Sequence, residues 1–269
     1  MPVRSFVDKV AVITGAARGI GLALANALHA RGCAVALVDI ESSLPEVAAG
    51  FRDGPRVTAH VCDVRDRARV AAIVGEVQAV HGRVNILVNN AGVALAGRFL
   101  EVSAEDFDWV MAVNFGGALN MARAFVPAML HEPEAQLLNV CSSFAWLGVA
   151  GKTGYGASKA ALRAFSEALR AELSQTSVGV TLLFPGPVAT ELVQRGRAAS
   201  QPQKTAEAEF VASRAIPVER VVRRALNGMR RNASRVVVGM DYRLIDALVR
   251  ISPAFAHAVA TRASRTLPF

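Results

Sequence analysis

The fold is decided by one stretch near the N-terminus, Val10-Ala11-Val12-Ile13-Thr14-Gly15-Ala16-Ala17-Arg18-Gly19-Ile20-Gly21. Its first half is rich in β-branched residues, which favours a buried strand. Its second half brings three glycines together where a helical pattern begins, and that pattern ends at Gly32. Glycines in such a turn let the backbone approach a pyrophosphate, whose charge the helix N-terminus stabilises. The stretch therefore predicts the strand, turn and helix of a dinucleotide site.

An acid follows at the spacing that this interpretation requires. Asp39 ends the next strand-like run, Ala34–Asp39, and lies 18 residues beyond Gly21. A carboxylate there accepts hydrogen bonds from both ribose hydroxyls and repels a 2′-phosphate, which favours NAD as the cofactor. Arg18 supports the alternative, because a cation in the glycine turn would pair with a 2′-phosphate and select NADP.

Beyond this stretch, short apolar runs alternate with helical patterns. Further strands are expected at Val57–Asp63, Val84–Asn89, Gln136–Cys141, Val178–Phe184 and Arg235–Val238. Helices are expected at about Arg67–His81, from Ser103 onward and at Gly154–Leu173. The alternation predicts an α/β doubly wound parallel sheet of about seven strands, a Rossmann fold, in a single domain over residues 1–269 with a helical C-terminal extension.

Two later segments are set apart from this pattern. The polar stretch Gln194–Glu209 is expected to be a long loop, and with its flanks, residues 190–216, it is predicted to be a substrate lid. Residues 240–269 are predicted to form a basic amphipathic extension. Apolar stripes at Leu244, Ile245, Leu248 and Val249 and at Ala254, Phe255, Ala258 and Val259 are flanked by Arg243, Arg250, Arg262 and Arg265.

Composition and charge limit the class of protein. Hydrophobic residues make up 52% and charged residues 19% of the 269 positions, which suits a folded chain with a sizeable core. No apolar run reaches the roughly 18 residues of a membrane-spanning helix, so a cytoplasmic location is expected. The three cysteines are scattered and give no metal-binding spacing, so no metal is expected.

The net charge of +8 is concentrated near the C-terminus. From Ala212 onward there are 11 arginines and three acids. Such a surplus indicates either an anionic partner, among them a membrane surface, or an ordinary solvated face. The chain carries no recognised nucleic-acid module, so nucleic acid is not an expected partner. The extension is expected to lie on a membrane, to pack against another subunit or to cover the substrate pocket.

Tyr155 and Lys159 are four residues apart in a predicted helix and therefore share one face. Hydride transfer to a carbonyl leaves negative charge on oxygen, so an acid/base group is needed beside it. The pKa of a free tyrosine, about 10, is too high for this task near neutrality, but a nearby ammonium lowers it. The pair predicts that Tyr155 exchanges the proton and that Lys159 lowers its pKa.

These motifs, in this order, closely resemble the short-chain dehydrogenase/reductase family over about Lys9 to Thr190. The glycines have the spacing of that family, Gly-xxx-Gly-x-Gly. The resemblance implies cofactor contacts from Gly15, Arg18, Gly19, Ile20, Gly21, Asp39, Asp63, Val64, Asn90, Ala91, Gly92, Tyr155, Lys159, Pro185, Gly186, Val188 and Thr190.

The resemblance also implies the catalytic roles. Tyr155 is the expected proton donor or acceptor, and Lys159 is expected to bind the nicotinamide ribose. Ser142, preferred over the adjacent Ser143, is expected to hold the substrate oxygen, and Asn114 to organise a water that relays protons with Lys159.

The expected substrate wall is apolar. It consists of Phe144, Trp146 and Leu192, together with Ala145, Leu147, Val149, Val193 and Phe210. Few charges are available there to orient an acid or a sugar. The sequence thus predicts a homodimeric or homotetrameric oxidoreductase that transfers a hydride between NAD(H) and a hydrophobic secondary alcohol or ketone. The alternatives are an NADP-dependent carbonyl reductase and a catalytically silent nucleotide-binding scaffold, and the wall residues would otherwise only pack the lid or a subunit contact.

Overall fold

The computed structural model describes residues 3–52 and 54–264. The strands are β1 (Val10–Thr14), β2 (Ala34–Asp39), β3 (Val57–Val61), β4 (Ile86–Asn89), β5 (Leu95–Ala96), β6 (Ala135–Val140), β7 (Val178–Pro185), β8 (Arg197–Ala198) and β9 (Arg235–Val238). The α-helices are α1 (Gly19–His29), α2 (Leu44–Ala49), α3 (Arg67–His81), α4 (Ala104–Met111), α5 (Ala118–Met129), α6 (Thr153–Glu172), α7 (Leu192–Arg195), α8 (Gln201–Ser213), α9 (Val218–Arg230), α10 (Met240–Ile251) and α11 (Pro253–Ser264).

Among the described residues, seven strands form one parallel sheet in the order β3-β2-β1-β4-β6-β7-β9. The strand order reverses between β1 and β4, and open α/β sheets bind ligands in the crevice outside such a point. Apolar clusters cover both faces of the sheet, and β7 is buried at every position. This arrangement confirms the predicted doubly wound Rossmann fold.

The connections differ from the expected ones in two places. The long helix expected from Ser103 is divided, because a π-helical turn at Ala112–Gly117 separates α4 from α5. The stretch Gln194–Glu209, expected to be a loop, contains β8 and most of α8. Polar composition misled the prediction here: α8 has a weak apolar face but a Ser200 cap that accepts a hydrogen bond from the Gln203 amide.

The C-terminal extension packs on the body of the protein. Tyr242 of α10 lies against the Gly186 backbone, and Asp246 of the same helix forms an ion pair with Arg235 of β9. At the end of α11, the Ser264 hydroxyl accepts a hydrogen bond from the Ala150 amide at 3.2 Å. None of the described residues of the extension lines the main cavity of the protein, so its membrane, subunit or pocket-covering role stays a prediction. Arg265, expected to flank this extension, lies outside the described residues.

Within residues 3–52 and 54–264, no helix combines the length and the apolar character needed to cross a membrane.

Candidate active site

A cavity of about 610 Å³ opens where the strands of the main sheet end. Every cofactor residue implied by the resemblance lines it except Gly21. The cavity runs from Asp39, after β2, past the glycine turn to Ser142 and Tyr155 on the far side of the strand-order reversal. Its volume lies within the range of small-molecule and cofactor sites.

The glycine turn is held in a conformation that side chains would disrupt. Gly15 and Gly19 have φ angles of +63° and +55°, in the left-handed region. Gly21 lies behind the turn, where a Cβ atom would come within 2.0 Å of the Gly15 carbonyl oxygen. The role of Gly21 is therefore close packing of α1 against the turn rather than lining the cavity.

Side chains after β1 and β4 bind this turn to the neighbouring strand. The Thr14 hydroxyl donates to the Val88 carbonyl and accepts from the amides of Asn90 and Ala91, both at 3.0 Å. The Asn90 amide group donates to the carbonyls of Thr14 and Gly15. The side chain of Asn90 thus fixes the shape of the glycine turn.

The far end of the cavity is acidic. Asp39 accepts hydrogen bonds from the backbone amides of Ala17 at 2.8 Å and Glu41 at 3.2 Å, and these bonds fix its carboxylate beside the glycine turn. Arg18 forms an ion pair with Glu41 at 3.0 Å, and Arg195 reaches the same carboxylate at 2.6 Å. The hydrogen bond from Arg18 helps to hold the pKa of Glu41 below its usual range. The cation that would select a 2′-phosphate is therefore engaged by an acid of the protein.

The Asp63 carboxylate, just after β3, accepts hydrogen bonds from the backbone and the guanidinium of Arg65. These bonds from Arg65 lower the pKa of Asp63 and fix its carboxylate at the cavity rim. On the opposite side, the turn after β7 supplies Pro185, Gly186, Val188 and Thr190 to the lining. Gly186 has no room for a side chain, because a Cβ atom would meet the Tyr242 ring at 2.5 Å.

Tyr155 and Ser142 meet at the other end of the cavity. Both side chains line the cavity. Burial raises the pKa of Tyr155 to about 12, although the neighbouring Ser142 hydroxyl acts in the opposite direction. The expectation that Lys159 gives Tyr155 a lowered pKa is wrong. The cost of burying a phenolate outweighs the effect of neighbouring charges, so the pKa is raised instead.

Lys159 is buried one turn further along α6. Its ammonium donates to the Val140 carbonyl at 3.0 Å, and burial lowers its pKa to about 8. A Cβ atom on Gly92 would lie 3.3 Å from this ammonium and 3.1 Å from the side-chain oxygen of Asn114. A glycine at position 92 therefore lets the lysine and the asparagine approach the same point.

Asn114 lies in the π-helical turn and does not line the cavity. Its side chain accepts from the Val93 amide at 2.8 Å and donates to the Val93 carbonyl and to the Ser158 hydroxyl. These bonds hold the segment after β4 against α6. The extra residue of a π turn breaks the regular helical ladder, as often happens where a side chain serves a site.

The expected substrate wall is only partly in place. Phe144 and Leu192 line the cavity, and the Phe144 ring packs edge-on against the Tyr155 ring at 6.1 Å between centroids. Trp146 requires a correction, because it packs on Phe184 at 4.7 Å beneath the Arg235 guanidinium and is buried outside the lining. A 3-10 turn at Ser143–Ala145 lies between the two rings, so Phe144 faces the cavity whereas Trp146 does not. Also outside the lining are Ala145, Leu147 and Val149, whereas Val193 and Phe210 belong to it.

The sequence interpretation missed a buried ion pair at this wall. Lys152, just before α6, pairs with Glu207 of α8, and their side chains are 2% and 9% exposed. Both residues line the cavity. The position of Lys152, three residues before Tyr155, was a usable signal, since that spacing places two residues on one side of a helix. No signal of this kind identified Glu207, which is 55 residues away in sequence.

Among the described residues, no cluster of histidine, cysteine and acidic side chains could hold a metal ion.

Comparisons with known proteins agree with this geometry. A family model described as short chain dehydrogenase matches residues 9–201. The candidate oxidoreductase SadH of Mycobacterium tuberculosis is 32% identical over 272 residues, which cover 98% of this chain and 99% of that protein. A short chain dehydrogenase/reductase from Burkholderia phymatum, in complex with NAD, has a TM-score of 0.82 and 28% identity over 93% of this chain and 96% of its own. One from Burkholderia cenocepacia, in complex with NADP, has a TM-score of 0.79 and 29% identity over 95% and 98%.

Proposed function

This chain belongs to the short-chain dehydrogenase family of oxidoreductases, and we propose that it transfers a hydride between NAD(H) and a hydrophobic secondary alcohol or ketone. The observation that carries the proposal is that Tyr155, with the Ser142 hydroxyl beside it, lines the same cavity as Asp39. Hydride transfer with NAD requires an acid/base group for the proton and an acidic site for the ribose, and these residues supply both.

The residues present fit a bound dinucleotide. Positive φ angles at Gly15 and Gly19 leave the start of α1 free of side chains on the cavity side, where backbone amides favour a pyrophosphate. The turn after β7, with Val188 and Thr190 in the lining, is suited to hold the carboxamide end. When bound, the nicotinamide supplies or accepts the hydride.

Tyr155 supplies the proton in this proposal. Burial keeps the phenol protonated near neutrality, so in the direction of reduction its hydroxyl is ready to donate to the substrate oxygen. Ser142 donates a hydrogen bond to the same oxygen, which orients the carbonyl and stabilises the negative charge that develops on it. In the direction of oxidation the phenol first gives up its proton to a water proposed between Lys159 and Asn114, and the phenolate then accepts the proton of the alcohol.

Lys159 and Asn114 support proton transfer at Tyr155 in this proposal. The ammonium of Lys159 would donate hydrogen bonds to the ribose hydroxyls of the bound nucleotide. With Asn114 close to the same point, the two residues are placed to order a water that returns a proton to Tyr155. This relay needs the narrow gap that Gly92 leaves.

NAD is the proposed cofactor rather than NADP. A fixed carboxylate at Asp39 repels a 2′-phosphate. Arg18, which the sequence suggested as a contact for that phosphate, is paired with Glu41. The competing proposal, an NADP-dependent reductase, would need Arg18 to leave Glu41.

The substrate class follows from the cavity wall. Phe144, Leu192 and Phe210 face the reacting end and supply an apolar surface. Residues 190–216 contain α7 and α8 and cover this end, so we propose that they act as the substrate lid.

The direct test is a panel of hydrophobic secondary alcohols supplied with NAD or NADP, in which the absorbance of the reduced nicotinamide is followed. The proposal predicts turnover with NAD that exceeds turnover with NADP. Failure to oxidise any alcohol of the panel with either nucleotide would contradict it.

A further inference from the structure

The ion pair between Lys152 and Glu207 is a charged feature within the apolar substrate wall. Both side chains are almost fully buried and face the cavity close to Phe144 and Phe210. Within α8, all of whose residues are described, Glu207 alone is buried, while the apolar residues Phe210 and Val211 remain partly exposed. A helix of the lid thus presents a carboxylate to the cavity at the position where an apolar residue would be expected.

Stability does not account for this arrangement. Removing two charges from water is costly, and apolar residues of similar volume in the same place are often at least as stabilising. Burial accordingly lowers the pKa of Lys152, against the influence of Glu207. Ligand cavities, in contrast, are mostly apolar with a few polar groups that fix the orientation of the ligand. The pair lies in the cavity wall, where such a polar group would orient a bound ligand.

The pair lies near the reacting end of the cavity. Lys152 is the N-cap of α6, three residues before Tyr155, and its carbonyl accepts a hydrogen bond from the Gly156 amide at 2.7 Å. Lys152 and Tyr155 line the same cavity. Glu207 is close enough to raise the pKa of Tyr155 through its charge. A substrate oxygen held by Tyr155 would leave the pair within a few bonds of the reacting carbon.

We propose that Lys152 and Glu207 bind a second, uncharged polar group of the substrate, a hydroxyl located about two to four bonds from the reacting carbon. A hydroxyl matches a balanced ion pair, since it donates to the carboxylate and accepts from the ammonium. A charged group would instead leave an excess charge buried. This inference rests on the proposed alcohol oxidation and narrows its substrates to hydrophobic alcohols that carry another hydroxyl.

The test compares two alcohols that differ by one hydroxyl, 1-phenyl-1-propanol and 1-phenyl-1,3-propanediol. For each, kcat/KM is measured from the formation of the aryl ketone, with NAD in excess. The wild-type protein is expected to prefer the diol by about tenfold, the value of one additional hydrogen bond to a charged group. The double variant Lys152→Met with Glu207→Leu should lose this preference. Because it removes both charges together, it leaves no unpaired buried ion that would unfold the protein.

A matched control makes the same chemical changes elsewhere on α8. Lys204→Met with Glu209→Leu alters two residues outside the cavity lining and should keep the preference for the diol. Thermal unfolding of both double variants checks that they are folded. The ratio of two substrates measured on one protein is in any case independent of the folded fraction.

The outcomes separate the inference from the proposed function. A wild-type protein that oxidises both alcohols without preference contradicts the inference and leaves the proposed function in place. A preference for the diol that survives in the double variant also contradicts the inference. An equal loss of kcat/KM for both alcohols would do the same, because it would mean that the pair only attaches α8 to the rest of the protein. Absence of turnover with every secondary alcohol would contradict the proposed function itself.

Discussion

Tyr155 is a phenol whose surroundings oppose its ionisation. Burial raises its pKa to about 12, and Lys159, whose own pKa is lowered to about 8, donates its hydrogen bond to the Val140 carbonyl instead. The sequence predicted that the two residues share a face of α6, which follows from local spacing. It could not predict which of burial and the neighbouring charge would dominate, because burial depends on the whole fold.

The pKa of Lys159 leads to a prediction about nucleotide binding. Above a pH of about 8, the buried lysine loses the proton that makes it a cation, and its hydrogen bonds to the ribose weaken. The affinity for NAD should therefore fall by about tenfold as the pH rises through this range, which calorimetric titration would measure. In Lys159→Met the affinity should be low at every pH. A step near pH 8 that persists in this variant would assign the titration to another group.

Asp39 carries the prediction on cofactor choice. Replacing it with alanine removes the carboxylate that we propose binds the ribose hydroxyls and repels a 2′-phosphate. Asp39→Ala should shift the ratio of kcat/KM for NAD to that for NADP by at least about tenfold toward NADP. Glu46→Ala, an exposed acid of α2 outside the cavity, is the control and should leave the ratio unchanged. An unaltered preference in Asp39→Ala would place the selection elsewhere, with Arg18 the first residue to examine.

At the scale of elements, the turn between β1 and α1 shows why local motifs were predictable. Gly15 and Gly19 have positive φ angles within the turn itself, and the Gly15 carbonyl leaves no space for a side chain at position 21. The end of α3 is equally local: the predicted helix Arg67–His81 is followed by Gly82, whose φ of +76° ends it. Sequence reasoning works in these places because the cause and the effect lie next to each other in the chain.

Gly21→Ala tests the turn. The added methyl group would lie 2.0 Å from the Gly15 carbonyl oxygen, so the turn must move away from α1. We expect the affinity for NAD to fall at least about tenfold and the free energy of unfolding to fall by about 1–3 kcal/mol.

Gly75 of α3 provides the matched control, because a Cβ atom there meets nothing within 4 Å. Gly75→Ala should keep the affinity for NAD and raise the free energy of unfolding by up to about 1 kcal/mol. Normal nucleotide affinity in Gly21→Ala would show that the turn does not form the cofactor site.

Other elements were not predictable from neighbouring residues. The 3-10 turn at Ser143–Ala145 is not visible in the sequence pattern, and the prediction of Trp146 in the substrate wall is wrong because Trp146 packs on Phe184. The prediction of a loop at Gln194–Glu209 is wrong because α8 has little apolar surface of its own, so its sequence lacks a helical pattern. In both cases the decisive partner lies far away in the chain, in β7 or beside α6.

At the scale of the whole molecule, the C-terminal extension packs on the body of the protein through β9, Gly186 and Ala150. Arg235 lies over the rings of Trp146 and Phe184 and is paired with Asp246, so one ion pair connects α10 to the loop after Ser142. The basic surplus that the sequence located here is thus used in part inside the molecule. The expected homodimer or homotetramer stays a prediction.

Asp246→Ala measures how much this connection contributes. Without this carboxylate, the partly buried Arg235 guanidinium keeps only its longer ion pair with Glu167, at 3.9 Å. We expect the free energy of unfolding, from urea titration, to fall by about 2 kcal/mol. Asp241→Ala, an exposed acid in the first turn of the same helix, should cost less than about 1 kcal/mol. Equal effects of the two substitutions would mean that the Arg235 pair does not fasten the extension.

The central claim is that the Tyr155 hydroxyl moves the proton that accompanies hydride transfer. Its most direct test is Tyr155→Phe, which removes one oxygen atom and keeps the ring that packs against Phe144. Oxidation of the best secondary alcohol should fall by at least about 100-fold, the lower range for losing a general acid or base. The Kd for NAD should stay within about threefold of the wild-type value. A variant that retains most of its turnover would contradict the account.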